Sequence, residues 1–159
     1  MTLTIVVAGL IAVGVAGLGG LMTEIGPWYR NLRKPPWQPP DWLFGPAWTL
    51  ILGMAAAAGV LAWNGAADSA GRIRIIALFA VNLTLHTLWS PLFFRWRRPD
   101  WAMVELPVLW LSILALIFGL APFSTTASWL LTPYISWVSF AGCLNFAIVR
   151  MNAPFGAAR

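Results

Sequence analysis

Long unbroken apolar runs, rather than strict alternation, set the pattern of this chain. Five stretches fall at 3–22, 44–63, 75–94, 101–121 and 129–149, and Glu105 is the only Asp, Glu, Lys or Arg within them. Each is about 20 residues long, the length at which a helix rising about 1.5 Å per residue crosses a hydrocarbon core of about 30 Å. An open sheet in lipid would leave backbone groups unpaired, and a barrel strand would alternate, so the runs predict helices. The expected architecture is an all-α bundle of five transmembrane helices in one domain, 1–159, with an ordered loop at 26–43.

Composition agrees. Charged residues make 9% and hydrophobic residues 60% of the 159 positions, against roughly 25% charged in a soluble domain. A water-soluble fold of this size has no core large enough to hide so much apolar surface. One Cys and one His exclude disulfide frameworks and Cys/His zinc clusters within the chain. The first run lacks a basic flank before Leu3 and is long for a signal peptide, so it reads as a retained helix. Its Ala8, Ala12, Ala16 and Gly20 form a small-residue stripe suited to close internal packing.

The basic residues are divided unequally among the connections. Arg30, Arg33 and Lys34 lie in the first, Arg95, Arg97 and Arg98 in the third, and Arg150 and Arg159 at the C-terminus, against only Arg72 and Arg74 on the other side. The positive-inside rule then predicts a cytoplasmic first loop and C-terminus in a multi-pass protein. The charge bias suggests a bacterial cytoplasmic membrane, with a bacterial outer membrane or the outer mitochondrial membrane as alternatives. The net charge of +5 reflects this topology and contact with anionic lipid, not nucleic-acid binding.

Five of the sixteen residues from Pro27 to Trp42 are proline, which excludes a long helix after Leu32 and stiffens the loop. Trp28, Tyr29, Trp37 and Trp42 alternate with Arg30, Arg33 and Lys34. Flat apolar faces beside cations suit a planar anionic ligand, and equally suit an aromatic belt at the membrane interface. Within the third run, Asn82, His86, Trp89 and Phe93 share one helical face; Tyr134, Trp137, Ala141 and Asn145 repeat that spacing in the fifth. Such stripes predict inward faces lining an apolar pocket with few polar groups, capped by the loop, with Trp48 beneath it. The amides of Asn82 and Asn145 are expected to hydrogen-bond between helices. Glu105 is expected near the interface, in a salt bridge or beside a helix N-terminus. Cys143 is expected to be a small filler in lipid or at a helix contact.

The string Trp28-Tyr29-x-x-Leu32-x-Lys34-Pro35-x-Trp37-x-Pro39-Pro40-x-Trp42, with Gly45-Pro46-x-Trp48, resembles the signature of the translocator protein / tryptophan-rich sensory protein (TspO/MBR, peripheral benzodiazepine receptor) family. Asn82-Leu83-x-Leu85-His86-x-x-Trp89-Ser90-Pro91 and Pro133-Tyr134-x-x-Trp137-x-x-Phe140-Ala141-x-x-Leu144-Asn145 are similar to its third and fifth helices. The resemblance implies a membrane sensor or translocator that binds tetrapyrroles such as protoporphyrin IX or haem, as ligand rather than required cofactor. It extends to sterols such as cholesterol and to benzodiazepine-type ligands, and to a homodimer among membrane lipids. It assigns ligand contacts to Trp28, Tyr29, Trp37, Trp48, Tyr134 and Trp137, joined by His86, Trp89, Ala141 and Asn145. Arg30, Arg33 and Lys34 would meet the porphyrin propionates.

Where many members have Asn, this chain has His86; where many have Tyr, it has Leu52. His86 offers an imidazole to haem iron or to a ligand carbonyl, whereas Leu52 removes a hydroxyl anchor. The segment Leu144-x-Phe146-x-x-x-Arg150 has Phe where the sterol pattern has Tyr, which leaves Ala141 and the fifth helix's surface as sterol candidates. An alternative function is light- and oxygen-dependent porphyrin breakdown using Trp48 and Trp137. The chain has no serine nucleophile motif, nucleotide loop or close carboxylate pair to support other enzymology. A proton-coupled transporter would rest on His86 alone.

Overall fold

The structure is a computed structural model and describes residues 2–156; Arg159 of the expected basic C-terminus lies outside them. It contains α1 (Thr2–Met22), α2 (Pro27–Asn31), α3 (Asp41–Gly65), α4 (Ser69–Ser90), α5 (Pro99–Leu120), α6 (Thr125–Trp129) and α7 (Thr132–Asn152), with a π-helical turn, Pro91–Arg95, continuing α4. Five of the segments are long and apolar enough to span a bilayer: α1, α3, α4 with its π turn, α5, and α6 with α7. The expected all-α, five-span bundle is what forms.

Local chemistry explains the ends. Proline begins α2, the π turn and α5 and lies in the first turn of α7, where its missing N–H costs nothing. The Asp68 carboxylate accepts from the Gly71 N–H at 2.8 Å, and the Ser124 hydroxyl from the Ala127 N–H at 3.2 Å, capping α4 and α6. The fifth run is not one helix: it breaks between Trp129 and Thr132, dividing α6 from α7. Pro91 has no N–H to continue the ladder of α4, and the Trp96 N–H instead bonds the Pro91 carbonyl at 2.9 Å, five residues back. The wider turn sends Leu92, Phe93 and Phe94, three consecutive residues, all into buried positions.

α5 lies at the centre between α4 and α7 and contributes Leu109, Ile113, Leu116 and Leu120 to the main core. Ala55, Ala58 and Ala62 of α3 sit in the same core, their small side chains allowing close backbone approach. A second cluster at the proline-loop end joins Tyr29 to Phe93, Phe94, Ala102, Leu144 and Ile148. The Asn152 side chain fastens the loop to the end of α7: its Oδ1 accepts from the Arg33 N–H and its Nδ2 donates to the Arg33 carbonyl, both at 2.8 Å. The first loop and the end of α7 therefore share one end of the bundle. α1 leans on α3 and α4 but buries none of its residues.

Candidate functional site

Three helices contribute polar groups to the middle of the bundle. Asn82 on α4 donates through Nδ2 to the Ser112 hydroxyl on α5 at 2.8 Å. Tyr134 on α7 donates to Asn82 Oδ1 at 3.3 Å, and its hydroxyl lies 3.2 Å from His86 Nδ1. Asn82 and Tyr134 are almost wholly buried, and in lipid such groups require protein partners. Asn145 has the interhelical role expected of it: with its amide nitrogen toward Pro99, it donates to that carbonyl at 3.2 Å and accepts from the Met103 N–H at 3.1 Å.

This network supports the floor of a hollow of about 500 Å³ beneath the proline loop. Aromatic rings form its wall. Trp48 meets His86 edge-on at 4.7 Å between centroids, Tyr134 at 6.1 Å and Trp137 at 6.4 Å. Trp89 stacks on Phe93 at 5.0 Å, and Phe44 meets Trp137 at 5.7 Å. The indole nitrogens of Trp89 and Trp137 are buried and have no hydrogen-bond partner, a cost when a donor is left unpaired.

At the mouth, Tyr29 donates to Asp41 Oδ1 at 2.8 Å, while Gln38 Nε2 donates to the Tyr29 hydroxyl at 3.1 Å and to the same carboxylate oxygen at 3.2 Å. Burial first, and the Asp41 carboxylate second, push the Tyr29 hydroxyl well above its ordinary range. Lys34 does not point inward: its ammonium lies 3.6 Å above the Tyr29 ring, a cation–π contact. α1 contributes Val15, Ala16, Gly19 and Gly20 to the wall, continued past its end by Thr23 and Ile25.

Of the residues named from sequence, the hollow brings together Tyr29, Trp48, His86, Trp89, Trp137, Ala141 and Asn145. Tyr134 stands behind Trp48 and His86. Trp28, Trp37, Arg30, Arg33 and Lys34 are outside the lining. Trp28 packs on Phe93 and beneath Arg97, and Trp37 packs on Phe140. Ala141 faces the hollow rather than an outer surface, whereas Cys143 is exposed on the outside. Arg98 pairs with Asp100, two residues on, and not with Glu105. Glu105 lies farther along α5, where its carboxylate is buried without a partner. Leu52 lines the hollow where many family members carry Tyr.

Gln38 and Asp41 at the mouth and Phe44 in the wall carry no periodic signal in the sequence, whereas Phe93 lines the hollow as its helical stripe predicts. Gln38 and Asp41 stand singly among prolines and tryptophans, and only the folded loop sets them beside the Tyr29 hydroxyl. Phe93 was visible on the α4 stripe but not its stacking on Trp89, which depends on the π turn.

The model of the TspO/MBR family matches residues 5–151. The chain is 38% identical over 156 residues to the tryptophan-rich protein TspO of Chlorobaculum tepidum, covering 96% of each. It is 33% identical over 152 residues to protein CrtK of Rhodobacter capsulatus, covering 96% of this chain and 95% of that one. With the human translocator protein it shares 31% identity over 126 residues, 79% of this chain and 75% of the relative. Five apolar helices, an indole-walled hollow under a proline loop, and this match along nearly the whole chain together make it a multi-pass membrane protein of the TspO/MBR family.

Proposed function

We propose that the protein is a membrane sensor or translocator that binds a tetrapyrrole, protoporphyrin IX or haem, in the hollow beneath the proline loop. One observation carries the reading: Trp48, Trp89 and Trp137, with His86, wall a single chamber of about 500 Å³. That size is ordinary for a small-molecule site, and flat rings present the faces on which a macrocycle stacks. Two buried indole N–H groups in that wall lack acceptors, and the imine nitrogens of a free-base porphyrin are acceptors. Asp41 at the mouth is acidic, so propionates would be held away from it, toward the exposed Arg30 and Arg33 of the loop. The loop and its basic residues face the cytoplasm in this reading.

The decisive measurement is quenching of tryptophan fluorescence by protoporphyrin IX in detergent. A saturable response lost in the double variant Trp48→Ala/Trp137→Ala supports the proposal. An unchanged response in that variant removes the hollow as the site. A second reading, porphyrin breakdown in light and air, is favoured by the edge contact of Trp48 with Trp137, which sets two oxidisable rings side by side at the chamber. Product formation that needs light, dioxygen and Trp137 would select it.

A further inference from the structure

A second hollow lies at the other end of the bundle, between α1, α3 and α4, with a volume of about 600 Å³. Val7 and Ile11 of α1, Ala56 and Gly59 of α3, and Phe79 of α4 line it, and Thr4 supplies the only hydroxyl. Its origin is local: Ala8 and Ala12 of α1 and Ala55, Ala56 and Gly59 of α3 are small and leave the space between the larger lining side chains unfilled. Leu52, only 3% exposed, lies in the wall of both hollows and separates them. Trp63 lines this hollow near the end of α3, and the Arg72 guanidinium sits 5.2 Å above the Trp63 ring. Arg72 belongs to no ion pair among the described residues.

We propose that this hollow receives one acyl chain of a membrane phospholipid, whose phosphate rests against Arg72. The chemistry selects the occupant. Water in the hollow would find one hydroxyl, Thr4, and the indole of Trp63 at one end, too few convergent partners to hold it along an otherwise apolar wall. A hydrocarbon chain, in contrast, gains dispersion contacts along the whole wall. The wall belongs to segments that lie in the bilayer, so the chain enters sideways from lipid. At the mouth, the Arg72 guanidinium 5.2 Å above the Trp63 ring, with no carboxylate partner among the described residues, has its N–H fork free for phosphate. A tetrapyrrole fits the other hollow better, because this one has a single indole, Trp63, in place of Trp48, Trp89 and Trp137. α1 walls both spaces, so a lipid seated here fixes the helix that closes the aromatic chamber.

The test uses the full chain in nanodiscs containing a phosphatidylglycerol with a diazirine in its acyl chain. After illumination, adducts are expected on the lining positions Thr4, Ala8 and Ile11 of α1 and Ala56, Gly59 and Val60 of α3, in excess of those on the outward-facing Val6 and Leu10 of α1. Ala56→Phe and Ala80→Phe, which fill the hollow from α3 and from α4, should each abolish those adducts while adducts on the exposed Val104, Val108 and Leu111 of α5 persist. Adducts spread evenly over all exposed helix faces, or unchanged by both filling variants, overturn the proposal. Native mass spectrometry supplies a second readout that does not depend on how those variants fold. The wild type should retain phosphatidylglycerol through detergent exchange and Arg72→Gln should lose it; equal retention in the two rejects the site.

Discussion

The Tyr134 hydroxyl bridges α7 to α4, 3.2 Å from His86 Nδ1 and 3.3 Å from Asn82 Oδ1. A ring nitrogen engaged in this way orients the imidazole, which in turn meets the edge of Trp48. Tyr134→Phe keeps the ring and deletes the bridge. The expected loss is about 0.5 to 1.5 kcal/mol of stability, the ordinary range for an interhelical hydrogen bond in lipid. Thermal melting in detergent reads it, and an unchanged melting temperature would show that the bridge contributes nothing.

The two unpartnered indoles permit a separation of stacking from hydrogen bonding. Trp89→Phe and Trp137→Phe each preserve a flat ring in the chamber wall while removing a buried N–H that has no partner in the protein. If a bound tetrapyrrole supplies acceptors, each change should weaken porphyrin binding about 3- to 10-fold, the equivalent of one hydrogen bond. Equilibrium titration measures this. Affinity that is unaffected by either replacement would assign the indoles to stacking alone.

Asn152 holds the proline loop by two hydrogen bonds to the backbone of Arg33. Asn152→Ala should release the loop without unfolding the bundle, because its helical neighbours are unchanged. The checkable consequence is faster tryptic cleavage after Arg33, observed by mass spectrometry of timed digests. A cleavage rate equal to that of the wild type would show that the loop's prolines and aromatic contacts suffice to hold it.

Tyr29 gives the loop a pH dependence of definite sign. Its hydroxyl is held protonated above the ordinary range, first by burial and then by Asp41. The unfolded chain releases that proton near pH ~10 and the folded one does not. This contribution to stability is therefore complete below pH ~10 and declines as the pH rises beyond it. Tyr29→Phe should be less stable than the wild type by a constant amount near pH 8, and the gap should narrow above pH ~10. Denaturation followed by tryptophan emission over that range checks the sign.

Much of this architecture was readable in the residues themselves. The lengths of the apolar runs placed all five spans, and their ends moved by no more than six residues. The spacing of His86 and Trp89, and of Trp137 and Ala141, identified inward faces, because 3.6-residue periodicity is a property of any helix. The loop's prolines determined that no helix forms between Leu32 and Asp41.

What periodicity leaves open is which neighbour an inward face meets. Lipid is as apolar as leucine, so the outer faces of α1 and α5 carry no polar signal to order the helices around the bundle. Packing alone set α1 as a common wall for two hollows, and packing put Leu52 between them. Packing likewise placed Lys34 on the Tyr29 ring and Trp28 and Trp37 against Phe93 and Phe140, outside the chamber. The π turn after Ser90 is a third such outcome: Pro91 removes a donor, but only the surrounding aromatic cluster decides that the ladder widens there instead of ending. Residue types and spacing thus determined the helices, their inward stripes and the stiff loop, which are local consequences of covalent chemistry. The shape of the chamber depended on the tertiary structure, because a cavity is the volume that several distant side chains together fail to fill.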